Sequence, residues 1–191
     1  AIAFILNADF QRSKSWGYNP DNKIIVHIDQ PDHFVALRNE LERFPSVTSV
    51  SGSVESLGKS TDQELIKVGE EHYSVNSLHV GDRYISSMGL ELVKGRSFNE
   101  QLESDFRESV LINEAFAAKF NWDNPIGQQF EIDSVKYHVI GEVKDFHYEP
   151  FTERIEPLLF TLVSESNYNY LVATTTPGSA DDVNSTIQSS W

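Results

Sequence analysis

The stretch KIIVHIDQPDHFVALRNELERFPSVTSVSGSVESL, residues 23–57, decides the fold class. It opens with the β-branched run KIIVHI at 23–28, which predicts a buried strand. Apolar residues then recur at the spacing of one helix face: Phe34, Leu37, Leu41 and Phe44. Pro45 ends this helix, and the alternating stretch at 47–57 predicts a second strand. Residues 23–57 are therefore predicted to form a β-α-β unit.

Beyond this unit the sequence predicts short strands that alternate with short helices. Strands are expected twice within 65–80 and then at 90–96, 109–112, 130–132, 135–143, 157–163 and 170–176. Short helices are expected after Asp82, after Asn113 as an N-cap residue, and from Ser179. This mixture of elements predicts an α+β fold.

The β-α-β unit has too few elements to cover both faces of a sheet. The strands at 157–163 and 170–176 and the helix from Ser179 can supply the missing elements. Four apolar residues would then share one core: Leu37, Leu41, Val183 and Ile187. The sequence thus predicts two lobes, a split β-α-β (ferredoxin-like) lobe and an inserted mixed α/β lobe. The first comprises residues 17–60 and 155–191, and the second comprises residues 61–154.

The charge of the chain excludes several classes of partner. The 191 residues include 15 basic and 29 acidic side chains, a formal net charge of −14 at pH 7. Binding to nucleic acid or to an anionic membrane surface needs clustered positive charge, so neither is expected. The chain has no cysteine, which excludes disulfides, thiolate metal sites and cysteine nucleophiles.

Few sequence motifs point to catalysis or to a cofactor. Gly52 and Gly58 precede Lys59, but five residues separate the two glycines, whereas a phosphate-binding P-loop has four. The sequence contains neither a G-x-S-x-G nucleophile motif nor a G-x-G-x-x-G dinucleotide motif. We therefore predict no catalytic residues and no cofactor.

Histidine and carboxylate side chains allow one hypothesis of a metal site. Asp145, His147 and Glu149 alternate along one segment, so they could share a face and bind zinc or iron. The alternative is a loop that Asp145 and His147 order through hydrogen bonds to the backbone. His72 and His79 are seven residues apart, so on one strand they would face opposite sides.

The first residues, AIAFIL at 1–6, are apolar, but about 20 such residues are needed to span a bilayer. A helix is expected over 1–16, ended by Gly17-Tyr18-Asn19-Pro20. Two interpretations of this helix stay open: the start of an ordinary buried helix, or the end of a transmembrane helix.

Three longer stretches resemble one protein family. They are MGLELVKGRSF (88–98), SVLINEAFAAKFNWDNPIGQ (109–128) and KYHVIGEVKDFHYEPFTERIEPLLF (136–160). Together with GYNPDNKIIVHI (17–28), they resemble the extracytoplasmic core domain of MacB/FtsX-type ABC transporter permeases, in Bacteroidota-like versions. Six residues carry the structural part of this resemblance: Asn113, Pro125, Gly127, Asp145, Phe146 and His147.

The resemblance implies a function and an arrangement of the domain. Residues 1–16 would be the end of transmembrane helix 1 and its extension, the split lobe would be membrane-proximal (porter-like), and residues 61–154 would be a sabre-like lobe. The domain would transmit ATP-driven conformational change across the membrane (mechanotransmission) for export or extraction of a substrate, without catalysis of its own. Two alternatives are an extracytoplasmic ligand-binding sensor and a metal-assisted hydrolase.

The resemblance also implies partners and a location. The partners are the transmembrane helices of the same permease, a cytoplasmic ATPase subunit or domain, a second permease copy and a periplasmic adaptor protein. The permease would lie in the inner membrane, with this domain facing the periplasm.

Overall fold

The structure is a computed structural model that describes residues 3–4, 16–148 and 154–190. Its strands are β1 (Ala3–Phe4), β2 (Lys23–His27), β3 (Val47–Ser53), β4 (Asp62–Val68), β5 (Glu71–Val80), β6 (Leu92–Gly95), β7 (Ser109–Asn113), β8 (Gln129–Ile132), β9 (Val135–Val143), β10 (Leu158–Leu162) and β11 (Tyr170–Thr175). Its α-helices are α1 (Pro31–Leu41), α2 (Tyr84–Met88), α3 (Glu103–Arg107), α4 (Glu114–Lys119) and α5 (Ala180–Ser190). The predicted α+β class is confirmed: strands dominate and the helices are few.

Six of the strands close into a ring. Its strand order is β5, β10, β7, β9, β8 and β4, and β4 pairs again with β5. Every strand of the ring contributes at least one side chain to a single apolar cluster, which α4 completes with Phe116 and Ala117. Because all six strands turn side chains toward this cluster, it forms the interior of the ring. We call these six strands the ring.

Four other strands form an open sheet in the order β1, β2, β11 and β3, which we call the terminal sheet. One face carries α1 and α5, and the expected shared core of Leu37, Leu41, Val183 and Ile187 is present there. The other face contributes Val172 to a third cluster, which also contains outward-facing residues of the ring. The terminal sheet joins the ring through β3 and β5, which pair at Ser53 and Val80.

The position of β10 differs from the expectation. The strand predicted at 157–163 is expected beside the terminal elements, but β10 lies in the ring between β5 and β7. All but one of its residues, Thr161, are buried, because the ring interior covers one face and the third cluster covers the other. An apolar run of this kind indicates burial on both faces and does not indicate which strands are its neighbours.

Several local predictions are confirmed and others are wrong. The strands predicted at 130–132 and 135–143 are present and form a hairpin, in which Asp133 and Ser134 have the positive φ of a two-residue turn, 48° and 67°. The helix predicted after Asp82 is α2, whose N-cap residue is Arg83 and which Gly89 ends in the left-handed conformation. Ala3–Phe4 pair with β2 as a strand, so the predicted helix is wrong at these two residues. The rest of its span up to residue 15 lies outside the described residues.

Candidate functional site

The sequence motifs converge at the start of α4. Asn113 is fully buried, and its side-chain oxygen accepts hydrogen bonds from the backbone N–H groups of Phe116 (3.0 Å) and Leu158 (2.9 Å). Its side-chain nitrogen donates to the carbonyl of Glu156 at 3.0 Å. The predicted N-cap role of Asn113 is therefore confirmed. The same side chain also fixes the start of β10, which lies about 45 residues away.

Asp145 adds a second link to the same helix end. Its Oδ1 accepts from the backbone N–H of Ala115 at 2.9 Å, and its own N–H donates to Glu114 Oε2 at 2.9 Å. Burial raises the pKa of Asp145, and the carboxylates of Glu114 and Glu142 raise it further against the opposing effect of the Ala115 bond. Asp145 thus holds the segment after β9 against α4, as the loop alternative expects.

The segment after Asp145 contacts residues near the N-terminus. Phe146 is fully buried, and its ring packs edge-on against Tyr18 with 6.5 Å between ring centroids. The backbone N–H of His147 donates to the carbonyl of Trp16 at 2.8 Å. Gly17 lies so close that a Cβ there would be 2.7 Å from Phe146 Cβ. We call residues 16–19, of which Trp16, Gly17 and Tyr18 make these contacts, the entry segment.

The entry segment and the motif line one surface depression. Its walls include Tyr18 and Asn19 on one side and Lys144, Asp145 and His147 on the other. Lys144 also forms an ion pair with Glu91 at 2.8 Å on the same surface. The GYNP sequence predicts the end of a helix but not this contact, because about 130 residues separate the two sides of the contact.

Pro125 and Gly127 belong to a separate turn. The backbone N–H of Gln128 donates to the carbonyl of Pro125 at 3.0 Å, and Gly127 has φ of 86°, which favours glycine. The N–H of Gly127 donates to the carbonyl of Val139 at 2.8 Å. This turn therefore ties the chain after α4 to the ring strand β9, and it does not line the depression beside the entry segment.

Two other sequence expectations concern ligands. Gly52 lies within β3 and Gly58 follows in a turn with φ of 80°, so the two glycines before Lys59 do not belong to one loop. In the suspected metal trio, Asp145 uses a carboxylate oxygen to bind Ala115, and Glu149 lies outside the described residues.

The comparisons with known proteins agree on one family. A family model described as the MacB-like periplasmic core domain matches residues 6–189. The chain belongs to this family. It is a periplasmic domain of a MacB-like ABC transporter permease, and domains of this family belong to transmembrane permeases that work with ATPase partners. A search of the curated proteins gives no significant match.

Solved structures share the fold of this MacB-like domain. The periplasmic region of MacB from Actinobacillus actinomycetemcomitans aligns with a TM-score of 0.64 and 15% identity, covering 97% of this chain and 87% of that chain. The extracellular domain of the noncanonic ABC-type transporter YknZ from Gram-positive bacteria aligns with a TM-score of 0.60 and 17% identity, covering 86% of this chain and 88% of that chain. A permease-protein domain from Porphyromonas gingivalis aligns with a TM-score of 0.54 and 16% identity, covering 78% of this chain and 72% of that chain.

These relatives are transporter domains rather than enzymes, and they lie on the periplasmic or extracellular side of a membrane. Within the described part of the MacB-like domain, no helix has the length and apolar character needed to cross a bilayer. Membrane attachment is therefore inferred from the family and not from a helix of this structure.

Proposed function

We propose that this domain transmits ATP-driven movement of the transmembrane helices of its permease to the ring, for export or extraction of a substrate. The observation that carries the proposal is the contact of the entry segment with the motif after β9. His147 donates to Trp16, and Gly17 packs against Phe146. A displacement of the chain before residue 16 would thereby act directly on a segment that Asp145 ties to α4.

The positions of the two chain ends support this function. The first described strand, β1, pairs with β2, and α5 packs against the same terminal sheet near the other end. In a permease with transmembrane helices on both sides of this domain, the terminal sheet is the membrane-proximal part. The ring is the inserted part, now with β10 included. Two links, residues 54–61 and 163–169, connect the parts and act as hinges.

The partners follow from this mechanism. A cytoplasmic ATPase supplies the motion, the transmembrane helices of the same permease conduct it, and a second permease copy provides the opposing domain. The permease lies in the inner membrane and this domain faces the periplasm, where an adaptor protein can meet the ring.

The contact at Gly17 can be tested with a matched pair of glycines. Gly17 and Gly58 have nearly the same positive φ, 79° and 80°, so alanine strains the backbone equally at both. A Cβ at Gly17 would collide with Phe146, whereas a Cβ at Gly58 would meet nothing within 4 Å. Gly17→Ala therefore disturbs the contact, and Gly58→Ala controls for backbone strain.

The readout is the movement of the ring in the full permease with its ATPase. This chain has no cysteine, and Glu70 is 96% exposed on the β4–β5 turn, so Glu70→Cys can carry a spin label on the ring. We expect the distance between the labels of two permease copies to change between the ADP and ATP states, and Gly17→Ala to reduce this change while ATP hydrolysis continues. An unchanged distance in the parent protein, or equal changes in both alanine variants, would contradict the proposal.

A further inference from the structure

Three side chains that can bind a metal meet where the terminal sheet joins the ring. They are Glu55, just after β3, Asp62 at the start of β4, and His79 near the end of β5. One ligand atom of each lies within 4.8 Å of the other two. These residues belong to neither the entry segment nor the motif around Asp145.

Glu55 fixes the position of His79. The Glu55 side chain is buried, with Oε2 accepting from the backbone N–H of His79 at 2.8 Å and Oε1 lying 3.0 Å from its Nδ1. On the other side of the imidazole, His79 Nε2 lies 3.5 Å from Glu64 Oε1. Glu55 therefore holds both the backbone and the imidazole of His79 in place.

The cluster carries an excess of negative charge. The bond to Glu55 raises the pKa of His79, burial lowers it, and the charges of Glu55, Glu64 and Asp62 raise it again, with a net increase. Three carboxylate groups, those of Glu55, Asp62 and Glu64, lie around one imidazole, and oxygen and imidazole ligands in this arrangement suit a divalent cation.

A second observation also points to a ligand. Ser77 is fully buried, and its hydroxyl has no hydrogen-bond partner among the residues that the structure describes. Ser77 shares a strand face with His79, and Asp62 lies directly opposite it in β4. The hydroxyl of Thr161, opposite His79 in β10, is likewise buried without a partner in the described part of the chain. Buried hydroxyls are normally hydrogen-bonded, so two beside one ligand cluster indicate an additional group.

We propose that Glu55, Asp62 and His79 bind one divalent metal ion of the zinc type. An imidazole nitrogen with carboxylate oxygens is a ligand set that zinc accepts, and the chain has no thiolate to compete. Ligand atoms around a tetrahedral ion with bonds of about 2.1 Å lie about 3.4 Å apart. The cluster must therefore contract, and the exposed side chain of Asp62 can make this movement by rotation.

Such an ion would join three segments at the junction of the two parts. The direct pairing there is the Ser53–Val80 pair, with Val54 N–H donating to the carbonyl of His79 at 2.9 Å. A metal shared by the segment after β3, by β4 and by β5 would stiffen this junction. It is independent of the contact between Gly17 and Phe146, so either proposal can fail without the other.

The test is calorimetric titration of the 191-residue chain, freed of metal with a chelator, with zinc chloride alone. We expect one zinc ion per chain with micromolar affinity or tighter at pH 7.5, and a melting temperature that rises by roughly 5–10 °C at a hundredfold excess over Kd.

Matched variants separate this site from zinc on the acidic surface. His79→Gln and Asp62→Asn should each weaken binding at least 30-fold, whereas His72→Gln, at an exposed position of the same strand, should leave the affinity unchanged. Asp62 is exposed, so its variant decides the question if His79→Gln does not fold. Absence of binding, or binding that His79→Gln and Asp62→Asn leave intact, would overturn the proposal.

Discussion

The terminal sheet and the ring are held together by different interactions. The terminal sheet is open, and its core consists of apolar side chains of α1 and α5 packed on one face. The ring closes on itself through backbone pairing and is joined by buried polar groups, such as Asn113 at the end of β7 and Asp105 in α3. One part therefore depends on helix packing, and the other on strand closure and side-chain hydrogen bonds.

This difference teaches where the domain can deform. Loss of helix packing opens a sheet at its edge, whereas a closed ring has no free edge from which to separate. Stability in a protein is distributed unevenly, and regions that move in function come from its less stable parts. We expect the terminal sheet to open before the ring.

Leu41→Ala should produce the largest effect, and it should act on the terminal sheet. Leu41 is fully buried at the end of α1, so its truncation leaves a cavity and should lower the free energy of unfolding by about 3 kcal/mol. Urea unfolding measures this loss. Hydrogen exchange should become faster in β2 and β11 and stay unchanged in β7 and β10.

The control for Leu41 is the same substitution at Leu65, which is 61% exposed. Leu65→Ala should change the free energy of unfolding by less than about 0.5 kcal/mol. If Leu41→Ala accelerates exchange equally in β7 and β10, the two parts unfold as one unit and the comparison is wrong.

Asn113→Ala should produce the second-largest effect, and it should act on the ring. The substitution leaves the buried N–H groups of Phe116 and Leu158 without their acceptor, which should cost about 2.5 kcal/mol. Urea unfolding of Asn124→Ala, at an exposed position, should match the parent protein. If Asn113→Ala lowers the free energy of unfolding no more than Asn124→Ala does, the Asn113 side chain does not stabilise the ring.

Local patterns predict much of this fold, but they do not predict its long-range pairing. The β-α-β unit, the N-cap at Asn113 and the Asp133–Ser134 turn depend on residues close in sequence, and each is present. The partners of β10 depend on residues far away. Its apolar sequence fits any position that is covered on both faces.

The site shows the same limit. The motif around Asp145 stands out in the sequence, and its bond to α4 is the loop order that the residue types favour. No sequence pattern predicts its contact with Trp16 and Gly17. The contact depends on the backbone carbonyl of Trp16 and on the space left because Gly17 has no side chain. The spacing of residues along the sequence does not predict the cluster at His79, because its residues come from three separate segments.

The smallest expected effect on the free energy of unfolding is a pH-dependent one at Asp105. It tests whether buried side-chain hydrogen bonds stabilise the ring. Arg96 donates to both oxygens of this buried carboxylate, at 2.6 and 2.8 Å, and the N–H of Asn99 and the hydroxyl of Ser109 donate at 2.9 and 3.2 Å. Burial raises the pKa of Asp105, but these hydrogen bonds outweigh burial and hold its pKa below the ordinary value.

Because the folded state has the lower pKa, Asp105 stabilises the fold fully above its ordinary pKa of 3.8, and this contribution disappears as the pH falls through the folded value. Asp105→Asn should therefore lower the free energy of unfolding by about 1.5 kcal/mol at pH 7. The difference from the parent protein should narrow steadily in urea titrations below pH 4. Asp123→Asn, on the exposed surface, should show no such narrowing. If the difference in free energy of unfolding between Asp105→Asn and the parent protein is constant from pH 7 to pH 3, the shape of the side chain, and not its charge, holds α3 to the ring.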